Sequence, residues 1–158
     1  MSANGIAPIG RRMRVLVSSV SSDAHMWNLV FLRLLLEELG HDVTNVGVCA
    51  PDDLVIAESL RVRPQLILIS TVNGHGHLDG ARLVRKLRAL PELSETRMVI
   101  GGKLGVRGAD NVLYGQSLIE AGFDSVFEAD AGLNPLEYLR AVLRAPSVNR
   151  APASAIPA

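Results

Sequence analysis

The spacing of apolar residues changes period several times along the chain, and each change marks an element. Met13-Arg14-Val15-Leu16-Val17-Ser18 is apolar at nearly successive positions, the pattern of a strand covered on both faces. From about Trp27 to Leu39 the period is helical, with Leu32, Leu35, Leu36 and Leu39 on one stripe and Gly40 as the stop. Leu29, Val30, Phe31 and Leu34 widen that stripe until the helix is apolar on most sides. Such a helix has more to bury than one sheet face offers, so the excess predicts contact with a ligand or a partner chain, or else tight packing.

Asp42 to Gly47 predicts a second strand, and Pro51-Asp52-Asp53 opens a helix with acids in its first turn. That helix carries Leu54, Val55, Ile56, Ala57 and Leu60 and ends before Pro64. Leu66-Ile67-Leu68-Ile69-Ser70 is the most apolar strand and is expected at the centre of the sheet. The glycine-rich connection Asn73-Gly74-His75-Gly76-His77 leads into a helix with Leu78, Ala81, Val84 and Leu87 inward. Its Arg82, Arg85, Lys86 and Arg88 are expected to form a solvated face. Thr96 to Ile100 predicts strand four, ending in Gly101-Gly102; a helix over about 111–121 stops at Gly122, and Asp124 to Phe127 predicts strand five. Asn134-Pro135 starts a last helix with Leu136, Leu139, Val142 and Leu143, with proline at a favourable first position. No internal repeat is evident.

Five β-α units with short links imply right-handed crossovers and an α/β fold with a doubly wound parallel sheet. The expected architecture is flavodoxin-like, five strands in the order 2-1-3-4-5, with a ligand site above the carboxyl ends of the strands at the switch point. Residues 13–145 are read as one domain, 1–12 as a flexible lead and 146–158, rich in Ala, Pro and Ser, as a disordered tail. Composition narrows the partners. The formal net charge is zero, so no basic field points to nucleic acid. One cysteine, Cys49, excludes an internal disulfide, and no apolar run is long enough to span a bilayer, so a cytoplasmic protein is expected.

Three loops of this fold converge on one edge: Asp23-Ala24-His25 after strand one, Ser70 at the end of strand three, and Gly101-Gly102 after strand four. An acid two residues before a histidine at that edge is placed to grip a ligand. A phosphate-binding flavin loop would interleave Ser, Thr and Gly after strand one, where this chain has Asp, His, Met and Trp. The G-x-G-x-x-G of a dinucleotide site is absent. A receiver domain would end strand three in Asp, where Ser70 stands, and the loop around Gly74 holds no nucleophile for hydrolysis. His25, His75 and His77 are available to zinc, but no pattern fixes such a site.

Asp23-x-His25, Ser70-x-Val72 and Gly101-Gly102 together resemble the signature D-x-H-x-x-G … S-x-L … G-G of the B12-binding domains of adenosylcobalamin mutases and methionine synthase. The resemblance covers roughly residues 13–144. It is closest to the small subunit of glutamate mutase (methylaspartate mutase), with Val46-Gly47-Val48, the stretch from Ser70 to Gly76, and Ala121-Gly122-Phe123-Asp124 all similar to segments of that subunit. It implies that His25 replaces the cofactor's own benzimidazole as a ligand to cobalt, with Asp23 behind it, although Asp23 could instead cap the following helix. Ser70 would offer its hydroxyl to the displaced base, Val72 would pack on its ring, and Gly101-Gly102 would let backbone approach closely. Gly74 belongs to the same cofactor-binding set; His75 and His77 read as loop residues, with corrin or partner contact as the other reading.

Two positions depart from the signature. Asn28 stands in place of its glycine and Val72 in place of its leucine. Asn tolerates a left-handed backbone, so a turn there can survive. If glycine serves to leave room for the nucleotide tail, Asn28 either clashes or adds a hydrogen bond. By resemblance the chain is the cofactor-binding subunit of an adenosylcobalamin-dependent carbon-skeleton mutase, inactive alone, with a larger TIM-barrel subunit holding the substrate. The alternative is a corrinoid carrier or B12-responsive binding protein without mutase activity; such methyl carriers place a helical bundle ahead of this domain, and residues 1–12 are too short for one. The segment from about 20 to 30 is expected to bury surface mainly against the cofactor and to be mobile without it.

Overall fold

A computed structural model describes residues 11–104, 111–128 and 134–145. The expectations for residues 1–10 of the lead and for the tail from Pro146 lie outside them. Five parallel strands form one sheet in the order β2-β1-β3-β4-β5, as the pattern predicts. The strands are β1 (Arg14–Ser18), β2 (Asp42–Gly47), β3 (Leu66–Thr71), β4 (Arg97–Gly102) and β5 (Ser125–Glu128). The helices are α1 (Trp27–Glu38), α2 (Asp52–Val62), α3 (Gly76–Arg88), α4 (Asn111–Ala121) and α5 (Pro135–Arg144). The two central strands run one or two residues past their expected ends, so Thr71, Gly101 and Gly102 are paired strand residues.

Strand alternation divides the core in two. Leu16, Ile67, Ile69, Met98 and Ile100 face α2, α3 and α4, where Val55, Leu83, Val84, Leu87 and Leu118 meet them. Val15, Val17, Leu66, Leu68 and Val99 face α1 and α5, against Leu29, Leu32, Leu36, Leu139 and Val142. The nearly continuous apolar runs of β1 and β3 are explained by this double coverage. Helix α5 starts with a full capping box: Asn134 accepts from the Glu137 amide while the Glu137 carboxylate accepts from the Asn134 amide.

Helix α1 does carry an apolar excess. Leu29, Leu32 and Leu36 are buried, whereas Trp27, Phe31 and Leu34 are 77%, 50% and 59% exposed along one outer face. Tight packing is therefore not what the excess serves within this chain.

The basic face of α3 departs from expectation. Arg82 donates from Nε to Asp52 (2.7 Å), from one terminal nitrogen to Asp79 (3.0 Å) and from the other to Ser21 (2.9 Å). Lys86 lies 3.0 Å from the same Asp52 carboxylate. Arg88 turns inward to Asp124 (2.7 Å) and to the carbonyls of Gly122 and Thr96 (both 2.8 Å). The reason is geometric: α3 lies between α2 and α4, so cations on its flanks find acids and open carbonyls on neighbouring elements. Only Arg85 fits a plain solvated position.

Candidate functional site at the carboxyl edge

The loop after β1 is fastened from several sides. The Asp23 amide donates to the Val20 carbonyl (3.1 Å), and the Asp23 carbonyl accepts from the Cys49 amide (2.8 Å) in the loop after β2. The Asp23 carboxylate is fully buried. Its Oδ2 accepts from the Thr71 hydroxyl and the Val72 amide, both at 2.7 Å. Its Oδ1 accepts from the His25 amide (2.9 Å) and lies 2.6 Å from His25 Nδ1. Burial alone would raise the carboxyl pKa, but the donors from His25, Thr71 and Val72 more than offset it and hold the group down at about 2.

That carboxylate decides which nitrogen of the imidazole faces inward. An ionised carboxylate only accepts, so the proton in the 2.6 Å contact sits on His25 Nδ1 and the lone pair of the neutral ring sits on Nε2. The ring is 62% exposed. A carboxylate behind an exposed, Nε2-presenting histidine is the arrangement that orients metal-ligating imidazoles and raises their basicity. Asp23 does not cap α1: the N-cap position is Met26, with no side-chain bond. The expectation that residues 20–30 bury mainly against a cofactor is also too broad, since Val20, Asp23 and Leu29 are buried by the chain itself, while Ser22 and Ala24–Trp27 are exposed.

Ser70 and Gly101 lie side by side as register partners in β3 and β4. Ser70 faces α1, where its Oγ accepts from Asn28 Nδ2 at 3.0 Å. Asn28 sits in the first turn of α1, and among the described non-glycine residues only Cys49 and Arg63 have positive φ, so Asn28 is not supporting a left-handed turn. A Cβ on Gly101 would overlap the Tyr138 hydroxyl of α5, and one on Gly102 (φ +113°) would strike the Thr71 carbonyl. Val72 contributes its backbone amide to Asp23, with its side chain half-buried. Gly74, at φ +85°, shapes the next turn and donates to the Lys103 carbonyl (3.3 Å). His77 is tied down by the Leu104 carbonyl (2.7 Å) and stacks on Tyr114 at 3.9 Å, while His75 is exposed. No cluster of three or more potential metal ligands occurs among the described residues, which disposes of a zinc site built from His25, His75 and His77 there.

Residues that the sequence reading passed over hold this edge together. Thr71 occupies the unspecified middle of Ser70-x-Val72, and strand alternation alone puts it opposite to Ser70 and under the β1 loop. Ser21 and Ser22 are held by Arg82 and by Asp79 and Asn73, so α3 braces the loop that carries Asp23. Tyr138 was hidden because nothing local marks it; its clue is the glycine that leaves room for it.

The fold and edge define a class: a flavodoxin-like domain presenting a carboxylate-oriented histidine after β1 and a glycine-cleared step at β4. Within that class the chain belongs to the B12 binding domain family, whose model matches residues 13–126. Among curated proteins it is similar to the glutamate mutase sigma subunit of Halobacterium salinarum, 31% identical over 118 residues, covering 75% of this chain and 78% of that one. The glutamate mutase sigma subunit of Treponema denticola is 29% identical over 119 residues, 75% and 85% of the two chains. Among solved structures, a cobalamin-binding protein from Desulfitobacterium hafniense matches with a TM-score of 0.67 at 20% identity, over 87% of this chain and 60% of that one. The response regulator CheY4 of Vibrio cholerae matches with a TM-score of 0.62 at 16% identity, over 86% of this chain and all of that one. These likenesses establish the shared fold. No helix among the described residues is long and apolar enough to cross a membrane.

Proposed function

We propose that this chain is the cobalamin-binding subunit of an adenosylcobalamin-dependent carbon-skeleton mutase of the glutamate mutase kind. The observation that carries the reading is the buried Asp23 carboxylate, which is fixed by three other donors and holds the exposed His25 ring by its Nδ1, leaving Nε2 for a ligand. In this reading His25 is the lower ligand to cobalt in a base-off, histidine-on state, and Asp23 sets its tautomer and orientation. Ser70, Asn28, Val72, Gly74, Gly101 and Gly102 line the side that receives the displaced nucleotide. Two features fit that group: a nitrogen ligand on the exposed His25 ring, and buried polar atoms at Asn28 and Tyr138 that lack partners among the described residues. When bound, adenosylcobalamin supplies a cobalt–carbon bond whose homolysis starts radical rearrangement. The chain's own residues hold and orient.

Substrate binding is assigned to a larger, TIM-barrel partner subunit. The curated relatives are named as sigma subunits, which supports a division of labour between chains. The exposed Trp27, Phe31 and Leu34 on α1, beside the His25 loop, leave apolar surface for such a partner. The chain is read as soluble and cytoplasmic, and inactive alone.

Titration with adenosylcobalamin tests the reading. Wild-type protein is expected to take up the cofactor with loss of the benzimidazole-ligated spectrum and gain of a histidine-ligated one, and His25→Ala to lose the latter. Absence of binding, alone or with a larger mutase subunit, would sink it. Binding that supports methyl transfer but no rearrangement with any mutase partner would move the assignment to a corrinoid carrier.

A further inference from the structure

The turn that delivers Asp23 and His25 to the carboxyl edge is closed by one backbone bond, from the Asp23 amide to the Val20 carbonyl (3.1 Å). Ser21 and Ser22 are its two central residues, and both side chains are tied to elements outside the turn. Ser21 Oγ accepts from Arg82 on α3 at 2.9 Å. The Ser22 hydroxyl donates to the Asp79 carboxylate, also on α3, and accepts from Asn73 Nδ2 at 2.9 Å. The direction of each bond is fixed. A guanidinium only donates, the carboxylate beside it only accepts, and the Asn73 amide is oriented by the His75 backbone N–H on its Oδ1 (3.0 Å).

These ties meet at Arg82. Its Nε and one terminal nitrogen grip both oxygens of Asp52, the first residue of α2 (2.7 and 3.3 Å). The same terminal nitrogen reaches Ser21, and the other holds Asp79 Oδ1 at 3.0 Å. Ser21 is thus held directly and Ser22 through Asp79, so one planar fork sets the turn against α2 and α3 together. A lysine ammonium, a compact point charge, can meet the acids but cannot reproduce the fork that adds Ser21. Asp52 does not depend on the fork for charge, because Lys86 lies 3.0 Å from the same carboxylate. We infer that Arg82 is a positioning residue for the cobalt-ligating His25, presetting the turn so that the imidazole meets the cofactor from an ordered loop. The inference rests on the cobalamin reading above and goes beyond it, because Arg82 belongs to none of the three motifs of the signature and acts through Ser21 and Asp79 rather than on the cofactor.

The test compares the full chain with Arg82→Lys, with Ser21→Ala and, as a control on the same helix, with Arg85→Ala. Two readouts are taken: hydrogen exchange of the cofactor-free protein at the Asp23 and Cys49 amides, and titration with adenosylcobalamin followed by the histidine-ligated spectrum. Thermal melts check the fold. Arg82→Lys keeps the charge opposite Asp52 and Asp79 and is expected to melt close to wild type. It should nonetheless exchange faster at both amides and bind adenosylcobalamin about tenfold more weakly, with a smaller histidine-ligated fraction. Ser21→Ala leaves the ion pairs of Arg82 intact and is expected to weaken binding about threefold, which carries the test if Arg82→Lys does not fold. Arg85→Ala should match wild type in both readouts. Wild-type exchange or wild-type affinity in Arg82→Lys and Ser21→Ala overturns the positioning role and leaves the cobalamin reading standing. An affinity loss of the same size in Arg85→Ala overturns it too, as a general effect of charge. Failure of wild type to bind adenosylcobalamin, alone or with a larger mutase subunit, overturns the cobalamin reading and the role at His25 with it.

Discussion

Two carboxylates are buried at opposite ends of the sheet, and their surroundings are built to different ends. Asp124 enters β5 at the amino edge, where its Oδ2 accepts from Arg88 (2.7 Å) and from the Met98 amide (2.8 Å). Arg88 in turn closes on the carbonyls of Gly122 and Thr96, and its side chain is only 14% exposed. Charge meets charge and the arrangement is sealed. Asp23, at the carboxyl edge, has no lysine or arginine against it among the described residues: donors from Thr71, Val72 and the His25 backbone stabilise it, and the remaining contact is to an imidazole side chain that is 62% exposed. A closed network serves the fold, whereas a buried charge that passes its polarisation to an exposed ring serves something the fold itself does not contain.

The comparison predicts its largest effect at the closed end. Arg88→Ala leaves Asp124 as an uncompensated buried charge and is expected to cost about 3–5 kcal/mol in urea denaturation, with cobalamin affinity of the folded fraction unchanged. A loss below about 1 kcal/mol would mean that the amino-edge pair is not the sealed structural unit described here. Asp23→Asn is expected to cost less, about 2 kcal/mol, because the amide keeps one acceptor for the loop. It should also remove a pH dependence. The Asp23 pKa falls from 3.8 to about 2 on folding, so its contribution, about 2 kcal/mol, is fully present above 3.8 and is lost as pH falls toward 2. Wild type should therefore lose more stability than Asp23→Asn between pH 5 and pH 2. Parallel acid profiles for the two proteins would show that the carboxylate is not held as the geometry indicates.

The elements were legible because doubly covered strands and amphipathic helices write their periods into the chain; β2 and α4 fall at their expected limits. Asp23, His25, Ser70 and the Gly101-Gly102 step were legible because loops of an α/β sheet converge wherever the strand order places them. What stayed hidden depends on contacts between elements far apart in sequence. Arg82 and Arg88 look like any helical basic face until α2, α4 and the β1 loop are packed around α3. Thr71 and Tyr138 carry no local pattern either, and become visible once register sets Thr71 beneath Asp23 and Gly101 beneath the tyrosine ring. Asn28 was visible as a departure, but its partner Ser70 lies 42 residues away, so only the fold tells a hydrogen bond from a clash.

The smallest expected effect on stability separates the two ends most sharply. His25 has a ring 62% exposed, and its side chain makes one hydrogen bond among the described residues, to Asp23. Removing it leaves Asp23 with the Thr71 hydroxyl and the amides of Val72 and residue 25, so the carboxylate stays ionised and the loop stays anchored. His25→Ala is thus expected to change unfolding free energy by no more than about 0.5 kcal/mol while removing the histidine-ligated cobalamin spectrum. The double variant with Asp23→Asn should be no less stable than Asp23→Asn alone beyond that margin. If His25→Ala instead destabilised the protein as much as Asp23→Asn does, the Asp23–His25 pair would be a structural brace like Arg88–Asp124. The outward nitrogen would then be incidental.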